Sequence, residues 1–426
     1  MGKQIGYMQL LRQNKEFRRL FIANEISFIG DWFTVIALFI LAGEASDDSP
    51  LAIAGVLASR SFSLALFTPF TGMLADRFSR RGLMVLANVL SFGILIVVLL
   101  TGVLDGLVSV YALAVVIVAA RAVHDPAEYA YLPNICNENE LLTANALASG
   151  GWSVALGVGA AIGGLTIAEF GITTALWIDT TTFLVAALML SMLPHGGPDA
   201  SERGATTPRV VFDEMVGGWK YILSSPPLRR VVIAKGLWAS GGGAQILLLI
   251  LIGAEAGFGE IAAGVGVLFM VRGFGSGFGP IAGRPLMANM RLRPYLLGLA
   301  VGTCGAFYVG VSLVGMEDYF QEVWKNQGLL LVLIFLAHAA SGLNWVLSTT
   351  LLQERSADEW RGRVAGTDHF GITLMMGISA VAGGYILTEN ILDLRELIAV
   401  TGMVQITLCI LWIALVSGPE KRMLQA

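Results

Sequence analysis

Charge is scarce in this chain: Asp, Glu, Lys and Arg make up only 14% of its 426 residues. A water-soluble domain of that length needs more polar surface than this composition supplies, so a soluble enzyme or binding module is excluded. Cysteine is scarcer still. Cys136, Cys304 and Cys409 stand far apart in the sequence, and so scattered a set suggests neither a disulfide framework nor a metal site. No Walker phosphate loop and no nucleophile triad is recognisable, so neither ATP-driven work nor enzymatic catalysis is expected, and no cofactor or metal is implied. The polar, basic stretch from Met1 to Arg19 has no short apolar segment followed by a small-residue cleavage site. No secretory leader is therefore expected.

What the chain has in abundance is hydrocarbon. It is 55% hydrophobic with a mean hydropathy of +0.72, the composition of an integral membrane protein. Crossing about 30 Å of lipid takes about 20 helical residues. Twelve apolar runs qualify, beginning near residues 18, 51, 83, 107, 141, 172, 229, 260, 294, 328, 363 and 395. They are far longer than the strands of a membrane barrel, so the fold class is all-α with twelve transmembrane helices. The positive charges alternate between connections. Lys3, Arg12, Lys15, Arg18 and Arg19 precede the first run; Arg77, Arg80 and Arg81, then Arg203 to Arg230, Arg284 to Arg293, Arg355 to Arg363, and Lys421 with Arg422 fall on the same side. The opposite connections hold only Lys325 and Arg395. By the positive-inside rule both termini are expected in the cytoplasm.

The chain also repeats itself. At an offset of 211 residues Arg18, Arg19, Ile22, Ala23, Gly30 and Glu44 meet Arg229, Arg230, Ile233, Ala234, Gly241 and Glu255. Further on, Gly157, Ala160, Gly163, Gly164 and Glu169 meet Gly377, Ala380, Gly383, Gly384 and Glu389. Two six-helix, pseudo-symmetric halves are expected, residues 1–193 and 229–426. A Gly-, Pro- and Ser-rich cytoplasmic linker, 194–228, joins them, and its Phe212 to Leu223 part reads as a short amphipathic helix on the inner leaflet.

Polar side chains inside hydrocarbon are costly, so each is a candidate for function. Asn24, Ser27, Asp31 and Thr34 recur at spacings of three and four and share one helix face. Shifted by the repeat, the corresponding face carries Lys235, Trp238, Gly242 and Gln245. Both stripes are expected to look into a cavity between the halves. Asp31 lies about 20 Å along its helix from Arg18, which makes it the leading candidate proton carrier, with Glu25 nearer the surface as a second. Arg60 and Arg272, mid-run, require anionic partners. His338 and Asn344 are further cavity candidates, and Asp368 and His369 are placed as caps of the eleventh helix. The segment Arg121-Ala-Val-His-Asp-Pro-Ala-Glu128 is a dense polar cluster readable as a gate, a solvated loop or a proton path. Gly159, Gly163 and Gly164, with Gly383 and Gly384, read as close helix-packing positions.

The connection Gly72-Met-Leu-Ala-Asp-Arg-Phe-Ser-Arg-Arg81 resembles the signature loop of the major facilitator superfamily, Gly-x-Leu-Ala-Asp-Arg-x-Gly-Arg-Arg, with Ser79 in place of the second glycine. A worn copy, Gly279, Ala282 and Arg284, stands in the second half, where Gly283 replaces Asp76. The resemblance implies the major facilitator fold and a cytoplasmic gate of Gly72, Asp76, Arg77, Arg80 and Arg81, with Arg361 or Arg363 as partners. Residues 155–164 resemble the family's antiporter signature, with Ala155 for its first glycine and Ala160 for its proline. Ser27-x-x-Gly30-Asp31, Pro126-Ala127, Gly218-Trp219 and Arg361-Gly-Arg-Val are similar to the macrolide-efflux and enterobactin-exporter branch.

The reading is a bacterial-type inner-membrane exporter of an amphipathic small molecule working by alternating access, with proton exchange expected from the buried carboxylates and a monomer expected. No nucleic-acid partner is implied. Pro126-Ala-x-Tyr129 and Leu351-Leu-Gln-Glu-Arg355 also resemble bacterial lysophospholipid flippases. A gradient-independent flippase or uniporter is the first alternative, and a non-transporting membrane sensor or scaffold the second.

Overall fold

The computed structural model describes residues 5–195, 207–314 and 327–423; the side chains of residues 72, 73, 75–77, 138, 142, 149, 208, 358 and 423 fall outside that description. The helices, in order, are α1 (Tyr7–Gln13), α2 (Lys15–Glu44), α3 (Pro50–Arg77), α4 (Arg80–Thr101), α5 (Leu107–Ile135), α6 (Glu138–Ser191), α7 (Pro208–Ser224), α8 (Pro226–Glu255), α9 (Ile261–Ala282), α10 (Arg284–Ala288), α11 (Arg293–Val314), α12 (Gln327–Arg355), α13 (Arg361–Thr388), α14 (Leu394–Leu411) and α15 (Ser417–Met423). Eleven of them, counting the last two as one run, are long and apolar enough to cross a membrane. One of the eleven crosses twice. At 54 residues α6 would reach about 80 Å if straight, and it breaks at Gly171, whose φ of 80° and ψ of 166° suit a residue without a Cβ. Its arms, 138–170 and 172–191, complete twelve crossings.

Caps set the helix starts. Asn137 and Glu140 form a reciprocal capping box at α6, as do Asp393 and Glu396 at α14. Ser79 accepts from the Gly82 amide at the start of α4, so the serine that replaces the signature glycine serves as an N-cap. The pseudo-symmetry appears in the lengths. Helices α2 and α8 have 30 residues each, α4 and α11 have 22, and α5 and α12 have 29.

One large apolar core runs through both halves, from Phe33, Leu38 and Leu156 to Leu247, Leu268 and Phe269. Trp32 of α2 packs on Phe269 of α9 with ring centroids 5.4 Å apart. The halves meet most closely away from the arginine-rich connections, here called the basic face. There the Leu51 amide donates to Thr388 Oγ1 at 3.0 Å. A Cβ at Gly384 would lie 2.7 Å from Ala54 Cβ and 2.9 Å from the Leu51 Cα, and one at Gly164 only 2.3 Å from the Ala262 carbonyl oxygen. Glycine is what lets these backbones touch. Within the first half a Cβ at Gly159 would lie 2.8 Å from the Ile29 carbonyl oxygen and one at Gly163 3.2 Å from the Phe33 Cα, whereas a Cβ at Gly383 would find ordinary contacts at 3.5 Å. The small side chain at 383 is therefore not required by packing.

Helix α7 extends further than the 212–223 segment expected from the sequence, and it docks on protein. Arg363 of α13 pairs with its Glu214 at 3.2 Å, and Gly218 lies so near Thr367 that a Cβ would come within 2.3 Å of the hydroxyl oxygen. Its other flank, with Phe212 and Met215, closes an apolar cavity of about 180 Å³ against Leu66, Pro69 and Phe70 of α3 and Phe370 of α13. The linker helix thus touches both halves.

Candidate functional site

In the first half, α2, α3, α5 and the second arm of α6 bring charged groups together inside the bundle. The Arg121 guanidinium lies 3.4 Å from Asp31, and both side chains are nearly buried, 19% and 18% exposed. Arg121 also stands 3.6 Å from Asp125, one turn along α5, and stacks 3.7 Å from the centre of the Phe28 ring. Arg60 lies within electrostatic reach of Asp31 and of Asp179 on α6. Asp179 is fully buried and accepts hydrogen bonds from the hydroxyls of Thr34 and Thr182. A charge cannot be left bare in a low-dielectric interior, so this packing of two arginines with two aspartates is what allows them to exist there.

Asp125 shows where water reaches this group. It lies ten residues, about 15 Å, from the end of α5, and its side chain is 53% exposed. It stands on the side of α5 that faces α13, in a crevice between the halves. His369 of α13, across the crevice, is close enough to feel its charge. Behind His369, Lys235 of α8 pairs with Asp368 at 2.6 Å and lies 4.7 Å from the Trp345 ring centre. Trp238 completes this wall, donating to Ser341 at 2.9 Å and tilting against Trp345. The exposed Asp125 and Trp345 and the half-buried Trp238 line this gap, with the Lys235–Asp368 pair buried behind them.

Several sequence-based placements change. The α2 stripe turns into its own bundle: Ser27 donates to Asn88 of α4 at 3.2 Å, Thr34 binds Asp179, and Asn24 is buried. Only Asp31 and Glu25 keep partial exposure, and Glu25 lies against Gly151 of α6. Periodicity identifies a face and leaves open which neighbour that face meets, and here it meets the polar side chains of α4, α5 and α6.

In the second half Gln245 bonds Gln405, His338 bonds the Tyr308 hydroxyl at 3.1 Å, and Asn344 donates to the Leu297 carbonyl. All three are packing contacts inside the bundle. Arg272 lies 5.5 Å from the Phe269 ring centre with Tyr308 nearby. Asp368 sits in the second turn of α13 and binds Lys235, so it is a partner for a cation and does not cap the helix.

At the basic face, Gly72, Asp76 and Arg77 lie outside the described side chains. Arg80 donates to the Ala130 carbonyl at 2.8 Å and to Asn134, and Arg81 to the Leu193 carbonyl at 2.7 Å. Both tie helices of the first half together. Arg361 reaches the Gln353 carbonyl and Arg363 takes Glu214, so these two arginines have partners on α12 and α7.

The family follows from comparison with known proteins. Residues 20–366 match the Major Facilitator Superfamily. The chain belongs to that superfamily. The MFS-type transporter YfiS of Bacillus subtilis is 27% identical over 89% of this chain and 88% of its own length. The multidrug efflux pump Tap of Mycolicibacterium fortuitum is 28% identical over 49% of this chain and 53% of its own. A crystal structure of a POT family transporter in complex with 5-aminolevulinic acid superposes with a TM-score of 0.75, covering 98% of each chain at 11% identity. As a major facilitator protein the chain is a multi-pass membrane transporter, and relatives of this type include exporters and efflux pumps.

Within this superfamily member, the sequence reading passed over Asp179 and left Arg121 inside a surface cluster. A signal for Asp179 was present. It is the one charged residue between Gly171 and Ser191, and an isolated acid in an apolar crossing marks a buried partner.

The Lys235–Asp368 pair gives a direct test of burial. Lys235→Met strands the Asp368 carboxylate, a loss of about 3–5 kcal/mol. The expected result is a lower thermal unfolding midpoint in detergent, with most of the loss recovered in Lys235→Met/Asp368→Leu.

Proposed function

We propose that the chain exports an amphipathic small molecule in exchange for protons, by rocking of residues 1–193 against 229–426 about the crevice. The basic face is then cytoplasmic by its arginine content, and the crevice is the inward-open substrate path. The observation that carries this reading is the Asp31–Arg121 pair, nearly buried at the inner end of a water-exposed crevice. An ionised Asp31 holds Arg121 at 3.4 Å. A proton on Asp31 removes that attraction and leaves Arg121 to Asp125, already 3.6 Å away, which re-aims a charge in the crevice wall. Two discrete arrangements of one cation are what proton coupling needs, because the proton then biases a conformational equilibrium. The aromatic pair Trp238 and Trp345, with Lys235 beneath, suits a ligand that is part apolar and part polar. Likeness to the efflux pump Tap favours outward movement.

The test uses everted vesicles carrying the chain, with an imposed proton gradient and a panel of siderophores, macrolides and lysophospholipids. Gradient-dependent accumulation of one panel member, abolished by a protonophore, is expected. Transfer of lysophospholipid that ignores the gradient would establish the flippase reading in its place. No transfer of any panel member would leave the non-transporting sensor reading ahead.

A further inference from the structure

The polar cluster on α5 extends beyond the Asp31–Arg121 pair. His124 is 1% exposed, and neither of its ring nitrogens has a hydrogen-bond partner. Its Nδ1 lies 3.5 Å from Asp125 Oδ1 and 3.9 Å from Glu128 Oε2, and one donor atom from each of the three residues falls within 4.8 Å of the others. Asn24 of α2, 3% exposed, directs its side-chain amide at Glu128. Glu25 is close enough to Glu128 for the two charges to interact. A buried imidazole with unpartnered nitrogens stands among carboxylates, and among the described residues the cation in contact with that group, Arg121, is shared with Asp31. Carboxylates gathered around a buried imidazole favour a cationic occupant.

We propose that His124, Asp125 and Glu128 form a binding site for a divalent first-row transition-metal ion. One imidazole nitrogen and two carboxylate oxygens are a borderline donor set, suited to Zn²⁺, Co²⁺ or Mn²⁺. Metal–ligand bonds of about 2.0–2.2 Å at angles of about 90–120° place neighbouring donor atoms about 2.8–3.8 Å apart; the observed 3.5 Å lies in that range and 3.9 Å just beyond it. His124 and Glu128 are one helical turn apart on a single helix, so the site needs no rearrangement of the fold. Asp125, facing the crevice, provides the approach from water. A proton shared at Nδ1 alone would still leave Nε2 unsatisfied. The site shares Asp125 with the transport reading, and its test is independent because binding is measured without transport.

The experiment is equilibrium binding of Zn²⁺ to the full chain, purified in detergent without a histidine tag and stripped with a chelator. About one Zn²⁺ per chain is expected. His124→Ala and Glu128→Gln should each weaken it by at least about tenfold, while His195→Ala, at the basic face, leaves it unchanged. Should either cluster variant fail to purify as a monodisperse species, Co²⁺ added to the His195→Ala protein gives an independent reading. Visible bands of a nitrogen- and oxygen-ligated ion are expected. Absence of Zn²⁺ and Co²⁺ binding at tens of micromolar, or Zn²⁺ binding indifferent to both cluster substitutions, would overturn the proposal.

Discussion

Asp31→Asn is expected to reduce gradient-driven export to the level of empty vesicles, a loss of at least about tenfold and so more than about 1.4 kcal/mol of driving interaction. Asparagine keeps the size and the hydrogen-bonding capacity of the side chain. It cannot exchange a proton at any working pH, so Arg121 would see one arrangement only. A purely structural role for Asp31 makes a different forecast. In that case the loss would come from stranding the Arg121 charge, and the doubly neutral Asp31→Asn/Arg121→Gln variant should recover export. Coupling through Asp31 requires that it does not, although the double variant should regain thermal stability, since a buried charge pair can be replaced at little cost when both partners go. Measuring transport and unfolding midpoint in the same three proteins separates the two roles.

The second large effect is expected at the contact between the halves. Gly384 has the α3 backbone 2.9 Å from where its Cβ would stand. Gly384→Val therefore cannot keep the halves closed on the side away from the basic face. Overpacking of this kind costs about 1–3 kcal/mol, enough to shift a two-state equilibrium by roughly fivefold to more than a hundredfold. Spin labels at positions 51 and 388 should report a wider distance distribution, with slower transport. Gly383→Ala, one residue away and with 3.5 Å of clearance, should leave both readings unchanged. The contrast between neighbours separates steric wedging from a general loss of helix flexibility.

The architecture was legible because membrane crossing imposes a strong rule on composition. Twelve apolar runs, the alternation of arginines and the offset that lays Arg18 and Arg19 on Arg229 and Arg230 were enough for the fold. The break at Gly171 needed no proline, since one glycine at positive φ was sufficient.

The site was legible only in part. Depth marked Asp31 as buried, but its cation could not be read from the sequence. Arg121 lies ninety residues away on a helix whose rotation depends on the packing of four others. Ser27 and Thr34 of the α2 stripe turn toward Asn88 and Asp179, whose side chains take their hydrogen bonds. Arg363, implied by family resemblance as a gate partner, took Glu214 of the linker helix. That pairing depends on where α7 docks, and a charged surface helix carries little signal for its docking site.

The central claim is that a proton on Asp31 drives export through the crevice. The most direct measurement places the purified chain in proteoliposomes containing a pH-sensitive dye and adds the panel member that the vesicle assay selects. The account predicts substrate-dependent proton movement in the wild type that disappears in Asp31→Asn. Proton movement of equal size in both proteins would contradict it.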